Sequence, residues 1–330
     1  MSYYSKIIGT GKGLPETIMT NKDFEAFVET SDEWIRTRTG IAQRHIANPE
    51  KGESTLSLAR KAAQNALQMA NIPAQEIELI IVGTVTPESV MPTTANSLQR
   101  DLGAVNAFSF DLQAACSGFL YGLSIADQYI RSGSLKTALV VGAETLSTLI
   151  NWQDRSTCVL FGDAAGAAIL TRTDNKSHAI LSTRTYSDGT RGDLLKIPHG
   201  YAACPPWRAD YRPSEHKIKM QGSEIFKLAV RNMCDASMKV LEDNQLKVED
   251  VDFFIFHQAN IRIIEMCAKT LNVPLNKTWL NVDKYGNTSA ATLPICLDEA
   301  WRAGAIKSGD KVLMTTFGGG ITWGATLVQM

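Results

Sequence analysis

The chain has 330 residues, of which 44% are hydrophobic and 20% are charged, a composition typical of a folded protein rather than a disordered one. This length exceeds the usual size of a single hydrophobic core, so it predicts two packed units. The 33 Lys and Arg residues nearly balance the 34 Asp and Glu residues, which excludes a global field that would attract nucleic acid or an anionic membrane.

The first residues, MSYYSKIIGTGKGLP, predict a β-strand, because they lack the charged segment and long apolar run of a signal peptide. The longest apolar runs, such as IELIIVG and TALVVGA, are too short to span a bilayer. The six cysteines show no C-x-x-C spacing, which argues against a zinc module and a disulfide framework. We therefore expect a cytoplasmic protein with no metal site and with neither membrane nor nucleic-acid partners.

Two stretches share one plan and lie 174 residues apart. LSLARKAAQNALQMANIPAQEIELIIVGT gives an apolar helical face and then the apolar run 77–82, and FKLAVRNMCDASMKVLEDNQLKVEDVDFFIFHQ repeats that layout up to the run 251–256. A second echo pairs LKTALVVGAE with GDKVLMTTFGG, and GDAAGAAIL with GGITWGATLV. Helices alternating with short apolar strands indicate sheets covered on both faces. We expect a duplicated α/β fold, with one half over residues 1–172 and the other over 173–330.

Cys116 lies in FDLQAACSGFLYGL, where a strand-like pattern gives way to a helix-like one. This places the sulfur near the positive end of a helix dipole, which predicts a lowered thiol pKa and a reactive thiolate. Cysteine is nevertheless more often inert apolar filler, and position alone leaves both interpretations open. We interpret the remaining cysteines as inert: Cys158, Cys204, Cys234, Cys267 and Cys296.

The segment HGYAACPPWRADYRPSEHK (199–217) breaks both periodicities and holds three prolines. It predicts a long surface loop, which is either a lid or a variable decoration.

Two polar residues follow in the second half. His257 ends the apolar run VDFFIF, and ligands in α/β folds gather at the carboxyl ends of strands, although a lone histidine is more often structural. Asn287 follows Gly286 in DKYGNTSAATLP, where its amide either projects into a site or caps the helix that begins near Ser289. The glycines of FGGG (317–320) either let backbone N–H groups approach a ligand, as an oxyanion hole requires, or make a tight strand connection.

Taken together, a cysteine, a strand-end histidine and an asparagine suit thioester chemistry. The thiolate accepts an acyl group, and the histidine and asparagine donate hydrogen bonds to a second thioester carbonyl as it gathers enolate charge.

Five stretches carry a resemblance to a known family: TSDEWIRTRTGI (30–41), AACSGF (114–119), HQANIRII (257–264), YGNTSAA (285–291) and FGGGITWG (317–324). In this order they resemble the β-ketoacyl-ACP synthase III family, the condensing enzymes that start bacterial type II fatty-acid synthesis. The resemblance covers essentially the whole chain. It implies a thiolase-like fold, duplicated and five-layered (αβαβα), with two mixed sheets.

The resemblance also implies a ping-pong reaction of an acyltransferase. Cys116 takes an acyl group from a short or medium acyl-CoA primer, and malonyl-ACP then loses CO₂ and attacks the acyl-enzyme to give 3-oxoacyl-ACP. His257 and Asn287 stabilise the enolate, the amides of Cys116 and Gly319 form the oxyanion hole, and Phe317 packs against this cluster. Acyl-CoA is a substrate, and no cofactor is implied.

The remaining residues that the resemblance implies lie around the substrates. For CoA they are Thr30, Trp34, Arg38, Arg155, Gly222 and Ser223, with Trp34 and Arg155 placed on either side of the adenine. For the acidic ACP they are Lys227, Arg262 and Lys269. This chain has Ala42 and Thr270 where some relatives carry basic residues, which predicts a weaker or rearranged ACP contact. Met91 stands where many relatives have a bulky residue that closes the acyl pocket of the partner in a homodimer.

Two alternatives stay open. One is a related condensing enzyme of secondary metabolism that uses the same Cys116, His257 and Asn287. The other is a non-catalytic thiolase-fold partner subunit, which would usually lack the cysteine that this chain retains.

Overall fold

The computed structural model describes residues 3–199, 202 and 204–330. Within them the α-helices are α1 Asn21–Phe24, α2 Asp32–Thr39, α3 Thr55–Ala70, α4 Thr94–Leu102, α5 Gly118–Arg131, α6 Arg155–Cys158, α7 Gly222–Asp243, α8 Ile261–Thr270, α9 Val282–Tyr285 and α10 Thr292–Arg302. The 3₁₀ turns are Pro49–Lys51, Ala74–Glu76, Ala115–Ser117, Leu146–Thr148, Gly189–Leu194, Pro213–Glu215, Val248–Asp250, Leu275–Lys277 and Ser289–Ala291. The strands are β1 Tyr4–Gly13, β2 Ile18–Thr20, β3 Gln43–His45, β4 Leu79–Gly83, β5 Phe108–Leu112, β6 Thr137–Glu144, β7 Ala164–Thr173, β8 Ile180–Ser187, β9 Leu195–Lys196, β10 Lys219–Met220, β11 Phe253–Phe256, β12 Lys311–Gly318 and β13 Thr322–Gln329.

Two mixed sheets repeat one strand order. The first runs β1-β7-β6-β4-β5, and the second, read from its other edge, runs β8-β13-β12-β11. The equivalent pairs have the same directions in both sheets. β6 and β7 are antiparallel, as are β12 and β13. β4 and β6 are parallel, as are β11 and β12. The first sheet uses strands from residues 4 to 173 and the second from 180 to 329, so the duplication predicted from sequence is also a duplication of topology.

Five layers follow from the alternation of side chains along the strands. In β4 and β6, Ile80 and Leu139 face α3 on the outside, whereas their neighbours Ile81 and Val140 face the interior of the molecule. There they pack with α5 and α10, which lie between the two sheets, and α7 and α8 cover the outer face of the second sheet. Successive strand residues point to opposite faces, and both faces of both sheets are apolar, which is why these strands read as continuous hydrophobic runs. The predicted αβαβα architecture is confirmed.

The helices begin where the sequence provides caps. The Ser54 side chain accepts a hydrogen bond from the Ser57 amide at the start of α3, one residue before the predicted helical pattern. The Asn260 side chain caps α8 in the same way through the Arg262 amide. The strands β4 and β11 differ from the predicted apolar runs 77–82 and 251–256 by up to two residues at their ends. The difference arises because strand ends are set by pairing and not by hydrophobicity alone.

β6 approaches the turn Ser289–Ala291 so closely at Gly142 that no space remains for a side chain there. A Cβ built on Gly142 would lie 2.1 Å from the Ala290 carbonyl oxygen and 2.6 Å from its carbon, and backbone cannot move aside as a flexible side chain can. We expect Gly142→Ala to lower the free energy of unfolding by about 3 kcal/mol. Urea unfolding measures this. Gly189→Ala is the control, because nothing lies within 4 Å of its added Cβ. Equal stability of the two variants would contradict the predicted contact.

The segment 199–217 carries one 3₁₀ turn, Pro213–Glu215, and no helix or strand among its described residues. Residues 200, 201 and 203 of this predicted loop lie outside the described part of the chain. Cys204 lies in this predicted loop but is buried, and its sulfur lies 3.6 Å from Nδ1 of His199. In the described ranges no helix is both long and apolar enough to cross a membrane.

Candidate active site

Cys116 lies in the 3₁₀ turn Ala115–Ser117 that joins β5 to α5. The turn is held by the second half of the chain. Thr316 donates its hydroxyl proton to the Cys116 carbonyl over 3.0 Å, and Thr322 donates to the Ala114 carbonyl over 2.8 Å. Ala115 has φ 47°, a left-handed conformation that costs energy in a residue other than glycine and needs such support. The cysteine is therefore presented by one half and fixed by the other.

The thiol of Cys116 does not have the lowered pKa that its position before a helix predicts. Burial raises the pKa to about 11, although the side chain of Ser289 and the backbone amides of Cys116 and Gly319 act in the opposite direction. The prediction of a resting thiolate is wrong because removal of the sulfur from water outweighs these donors. With this pKa the thiol is protonated near pH 7.

His257 follows directly on β11, and its amide hydrogen-bonds the Thr315 carbonyl of β12 over 2.9 Å. The side chain is 3% exposed, and Nδ1 lies 2.7 Å from Oγ1 of Thr292 at the start of α10. Burial lowers the pKa of His257 to about 3, so the ring is neutral near pH 7. His257 stands 174 residues after Gly83, the last residue of β4, so the duplicated strand end carries an imidazole in one copy and no side chain in the other.

Asn287 is fixed at both its backbone and its side chain. Its amide donates to the Leu160 carbonyl over 2.8 Å, and its carbonyl accepts from Gly162 over 3.1 Å. The Ser289 amide donates to Asn287 Oδ1 over 2.8 Å, which leaves the Nδ2 donor for a ligand. This Oδ1 contact has the form of the helix cap that the sequence left as the alternative, although Thr288 is the residue that directly precedes the turn Ser289–Ala291.

The structure brings the predicted chemistry together in one cavity of about 570 Å³. Its lining comes from both halves and includes these predicted residues: Cys116, His257, Asn287, Phe317, Gly319, Arg38 and Gly222. The rest of the lining is largely apolar, with Leu146, Phe161 and Ile225 among its members. A largely apolar cavity with a few convergent polar groups is the usual form of a small-molecule site.

The other predicted CoA residues lie near the cavity but do not line it. The guanidinium carbons of Arg38 and Arg155 each lie over the Trp34 ring, 4.6 Å from its centroid. Arg155 also donates to the Glu29 carbonyl over 2.7 Å. Thr30 has a buried hydroxyl without a hydrogen-bond partner, and Ser223 is exposed in the first turn of α7.

The residues predicted for ACP and for the acyl pocket are on the surface. Arg262 and Lys269 are exposed on α8, and Lys227 is exposed on α7 in an ion pair with Glu224 at 3.0 Å. Met91 is 87% exposed, so within one protomer it closes nothing.

Glu144 is a site residue that the sequence reasoning missed. It ends β6, is fully buried, and accepts hydrogen bonds from Thr86 Oγ1 at 2.6 Å, the Val85 amide at 3.1 Å and Ser289 Oγ at 3.1 Å. Burial raises the pKa of its carboxyl to about 7. Because Ser289 also acts on the Cys116 thiol, Glu144 is connected to that thiol through one side chain. The available signal was an acid that ends the otherwise apolar run TALVVGAE.

His257 gives the stability of the protein a defined pH dependence. Its pKa is about 3 in the folded chain and 6.5 in an unperturbed histidine, so between these pH values the unfolded chain binds a proton that the native chain does not. Stability is therefore lost as pH falls through this window, by about 2 kcal/mol between pH 7.5 and pH 5. We expect the free energy of unfolding of His257→Asn to fall by about 2 kcal/mol less over this interval than that of the wild type. Urea unfolding at fixed protein concentration measures the difference. Parallel pH profiles for the two proteins would contradict a buried, neutral His257.

A duplicated five-layered α/β fold whose halves contribute a cysteine, a histidine and an asparagine to one apolar cavity defines a thiolase-like protein. Comparison with known proteins narrows this class. Two family models match the chain: 3-Oxoacyl-[acyl-carrier-protein (ACP)] synthase III over residues 110–189, and 3-Oxoacyl-[acyl-carrier-protein (ACP)] synthase III C terminal over residues 241–330.

The similar proteins agree with these matches. The chain is 49% identical over 323 residues to a β-ketoacyl-[acyl-carrier-protein] synthase III of Caldanaerobacter subterraneus subsp. tengcongensis, with 98% of this chain and 97% of that one covered. The crystal structure of 3-oxoacyl-[acyl-carrier-protein] synthase III from Aquifex aeolicus is similar with a TM-score of 0.91 at 48% identity, over 99% and 100% of the two chains. The priming β-ketosynthase of the R1128 polyketide pathway gives a TM-score of 0.92 at 34% identity, over 99% and 97%. The chain belongs to the β-ketoacyl-ACP synthase III family.

Proposed function

We propose that this chain catalyses the decarboxylative condensation of an acyl-CoA primer with malonyl-ACP, giving the 3-oxoacyl-ACP that starts type II fatty-acid synthesis. The observation that carries the proposal is the single cavity in which Cys116, His257 and Asn287 meet, in a member of the β-ketoacyl-ACP synthase III family. Neither step requires a cofactor or a metal ion, since acyl-CoA is a substrate.

In the first half-reaction the Cys116 sulfur attacks the thioester carbon of the primer. The carbonyl oxygen becomes an oxyanion, which the backbone amides of Cys116 and Gly319 stabilise; these are the amides that act on the thiol in the free protein. CoA leaves as its thiolate, and the acyl group stays on Cys116. Phe317 is 4% exposed and lines the same cavity as Cys116, where its apolar ring helps to keep water from the acyl-enzyme.

In the second half-reaction malonyl-ACP loses CO₂, and the electron pair of the broken bond forms an enolate. His257 and Asn287 hold the enolate oxygen, Asn287 through the Nδ2 donor that its Ser289 contact leaves available. The enolate carbon attacks the acyl carbon, and the C–S bond to Cys116 breaks. The product is 3-oxoacyl-ACP.

Residues at the mouth of the cavity are suited to CoA. Arg38 and Gly222 line it, and Trp34 with Arg155 offers an indole and a guanidinium for the adenine. The Arg155 guanidinium lies on the Trp34 ring itself, so an adenine between them requires Arg155 to move away. Thr30 adds a buried hydroxyl with no other partner, and Ser223 lies beside Gly222 on the same helix turn.

For the carrier protein we propose a docking surface of Arg262, Lys227 and Lys269, beside the cavity lining of α7 and α8. Exposed basic side chains suit an acidic partner, although Glu224 already neutralises part of the Lys227 charge.

We propose a homodimer that joins at the β5 edge of the first sheet, near the exposed Phe108 and Met91. In this dimer Met91 reaches the acyl pocket of the partner. Sedimentation at the mass of one 36.1 kDa chain would contradict the dimer. The six free thiols fit a reducing cytoplasm.

The test is acylation by radioactive acetyl-CoA and by a series of longer acyl-CoA primers, followed by peptide mapping. We expect label on the peptide that contains Cys116 and on no other cysteine peptide, and we expect unlabelled malonyl-ACP to remove it as 3-oxoacyl-ACP. No label under any primer would overturn the enzymatic proposal. Labelling without transfer to malonyl-ACP, but with transfer to another acceptor, would favour the condensing enzyme of secondary metabolism, whose fold is shared by the 34% identical polyketide priming synthase.

A further inference from the structure

Thr292 makes two hydrogen-bond contacts with one hydroxyl group. Its Oγ1 lies 2.7 Å from Nδ1 of His257 and 3.1 Å from the carbonyl oxygen of Ser289. All three residues are buried, with exposed fractions of 2 to 3%. Water therefore cannot replace either contact.

The chemistry of these groups assigns the protons. A carbonyl oxygen only accepts, so the single hydroxyl proton of Thr292 points to Ser289. Oγ1 must then accept from His257, which requires a proton on Nδ1. The opposite assignment would leave the lone pairs of two oxygens facing each other at 3.1 Å in a buried place.

The other ring nitrogen faces the substrates. His257 lines the cavity, and Thr292 is not among the described residues that line it, so Nε2 is the nitrogen turned toward Cys116 and Asn287. Because burial keeps the ring neutral, with a pKa of about 3, the ring carries one proton only. With that proton on Nδ1, Nε2 presents a lone pair.

We propose that Thr292 is a positioning residue that fixes His257 as the Nδ1–H tautomer, so that Nε2 enters the cavity as a proton acceptor. This inference deepens the proposed function and rests on it for its chemical consequence.

The tautomer gives His257 a role in both half-reactions. As the Cys116 sulfur forms its bond to the acyl carbon, its proton moves to Nε2, and CoA leaves as the thiolate. His257 is then an imidazolium with an Nε2–H donor for the enolate oxygen, and the negative charge of the malonyl carboxylate, and then of the enolate, offsets the burial that keeps the ring neutral in the free protein. When the C–S bond breaks, the Cys116 thiolate takes that proton back. CO₂ leaves as a neutral molecule and its negative charge passes through the enolate to the Cys116 thiolate, where the imidazolium proton neutralises it, so the one negative charge of malonyl-ACP is balanced at the end by that of the CoA thiolate.

The tautomer is measured directly by the ¹⁵N chemical shifts of the imidazole nitrogens in histidine-labelled protein, with His257 assigned by its absence from His257→Gln. We expect a protonated Nδ1 and a bare Nε2 in the wild type and in Thr292→Ser, which keeps the hydroxyl. Thr292→Val has the same shape without the hydroxyl, and we expect it to gain the Nε2–H form. His45 and His178 are internal controls, because their Nδ1 atoms lie 2.6 and 2.7 Å from backbone carbonyls and must stay protonated throughout.

Kinetics provide the second readout. We expect Thr292→Val to slow acylation of Cys116 by about 100-fold, which is in the range for loss of a general base. We expect Thr292→Ser, which keeps the hydroxyl, to slow it by less than about threefold. A bare Nδ1 in the wild type, or acylation by Thr292→Val at the wild-type rate, would overturn the inference. Different results contradict the two proposals. If the protein shows the Nδ1–H tautomer but Cys116 is never acylated, the inference about the tautomer stands and the proposed function fails.

Discussion

Replacement of Cys116 by alanine is expected to abolish condensation while leaving part of the malonyl-ACP decarboxylation. Without sulfur no acyl-enzyme forms, and we expect the rate of 3-oxoacyl-ACP formation to fall by at least about 10⁴-fold. Asn287 still offers its Nδ2 donor in the cavity, so part of the decarboxylation persists, although without the Cys116 proton His257 stays neutral and supplies no Nε2–H donor. The measurement pairs CO₂ release from labelled malonyl-ACP with mass spectrometry of the carrier-bound product.

Cys158→Ala is the matched control for this variant. Cys158 is as buried as a cysteine can be, at 0% exposure, but it lies in α6 and does not line the cavity among the described residues. Both variants lose one buried sulfur, so a general loss of packing would affect them alike. Continued condensation by Cys116→Ala, or complete loss of decarboxylation in a folded sample of it, would contradict the division of roles between Cys116 and the pair His257 and Asn287.

The duplication was readable from sequence because both sheets are buried on both faces, which produces similar apolar runs at constant spacing. The turns Ala115–Ser117 and Ser289–Ala291 show how far this symmetry extends. They lie 174 residues apart, each leads directly into a central helix, and each begins with a left-handed residue, Ala115 at φ 47° and Ser289 at φ 51°. The first half thus presents Cys116 on the same turn that the second half uses to fix Asn287.

The electrostatics of the site could not be read from sequence in the same way. A helix start predicts an activated thiol at Cys116, but the burial that raises its pKa to about 11 depends on elements from both halves that close over it. The neutral state of His257 and the buried carboxyl of Glu144 arise from the same closure. The stacking of Arg155 on Trp34 likewise depends on two segments that are distant in sequence. Motifs predicted which side chains meet in the cavity, and packing decided their protonation.

Asn287→Asp separates the two half-reactions with almost no change of shape. Aspartate keeps the oxygen that accepts the Ser289 amide at 2.8 Å, but it replaces the Nδ2 donor with a second oxygen. We expect decarboxylation of malonyl-ACP to fall by about 10²- to 10³-fold, as for loss of one oxyanion donor, while Cys116 is still acylated by the primer. Asn175→Asp is the control, because Asn175 Oδ1 also accepts the amide two residues ahead, at 2.9 Å, in an exposed turn far from the cavity.

The comparison with His257→Ala completes this prediction. If His257 takes the Cys116 proton, its loss slows acylation and decarboxylation together, whereas Asn287→Asp slows decarboxylation alone. Rapid-quench acylation and CO₂ release, measured on the same preparations, distinguish the two patterns. An Asn287→Asp protein that fails at acylation as severely as His257→Ala would mean that the asparagine helps to build the acyl site. If His257→Ala is acylated at the wild-type rate, His257 is not the base that removes the proton from the buried Cys116 thiol.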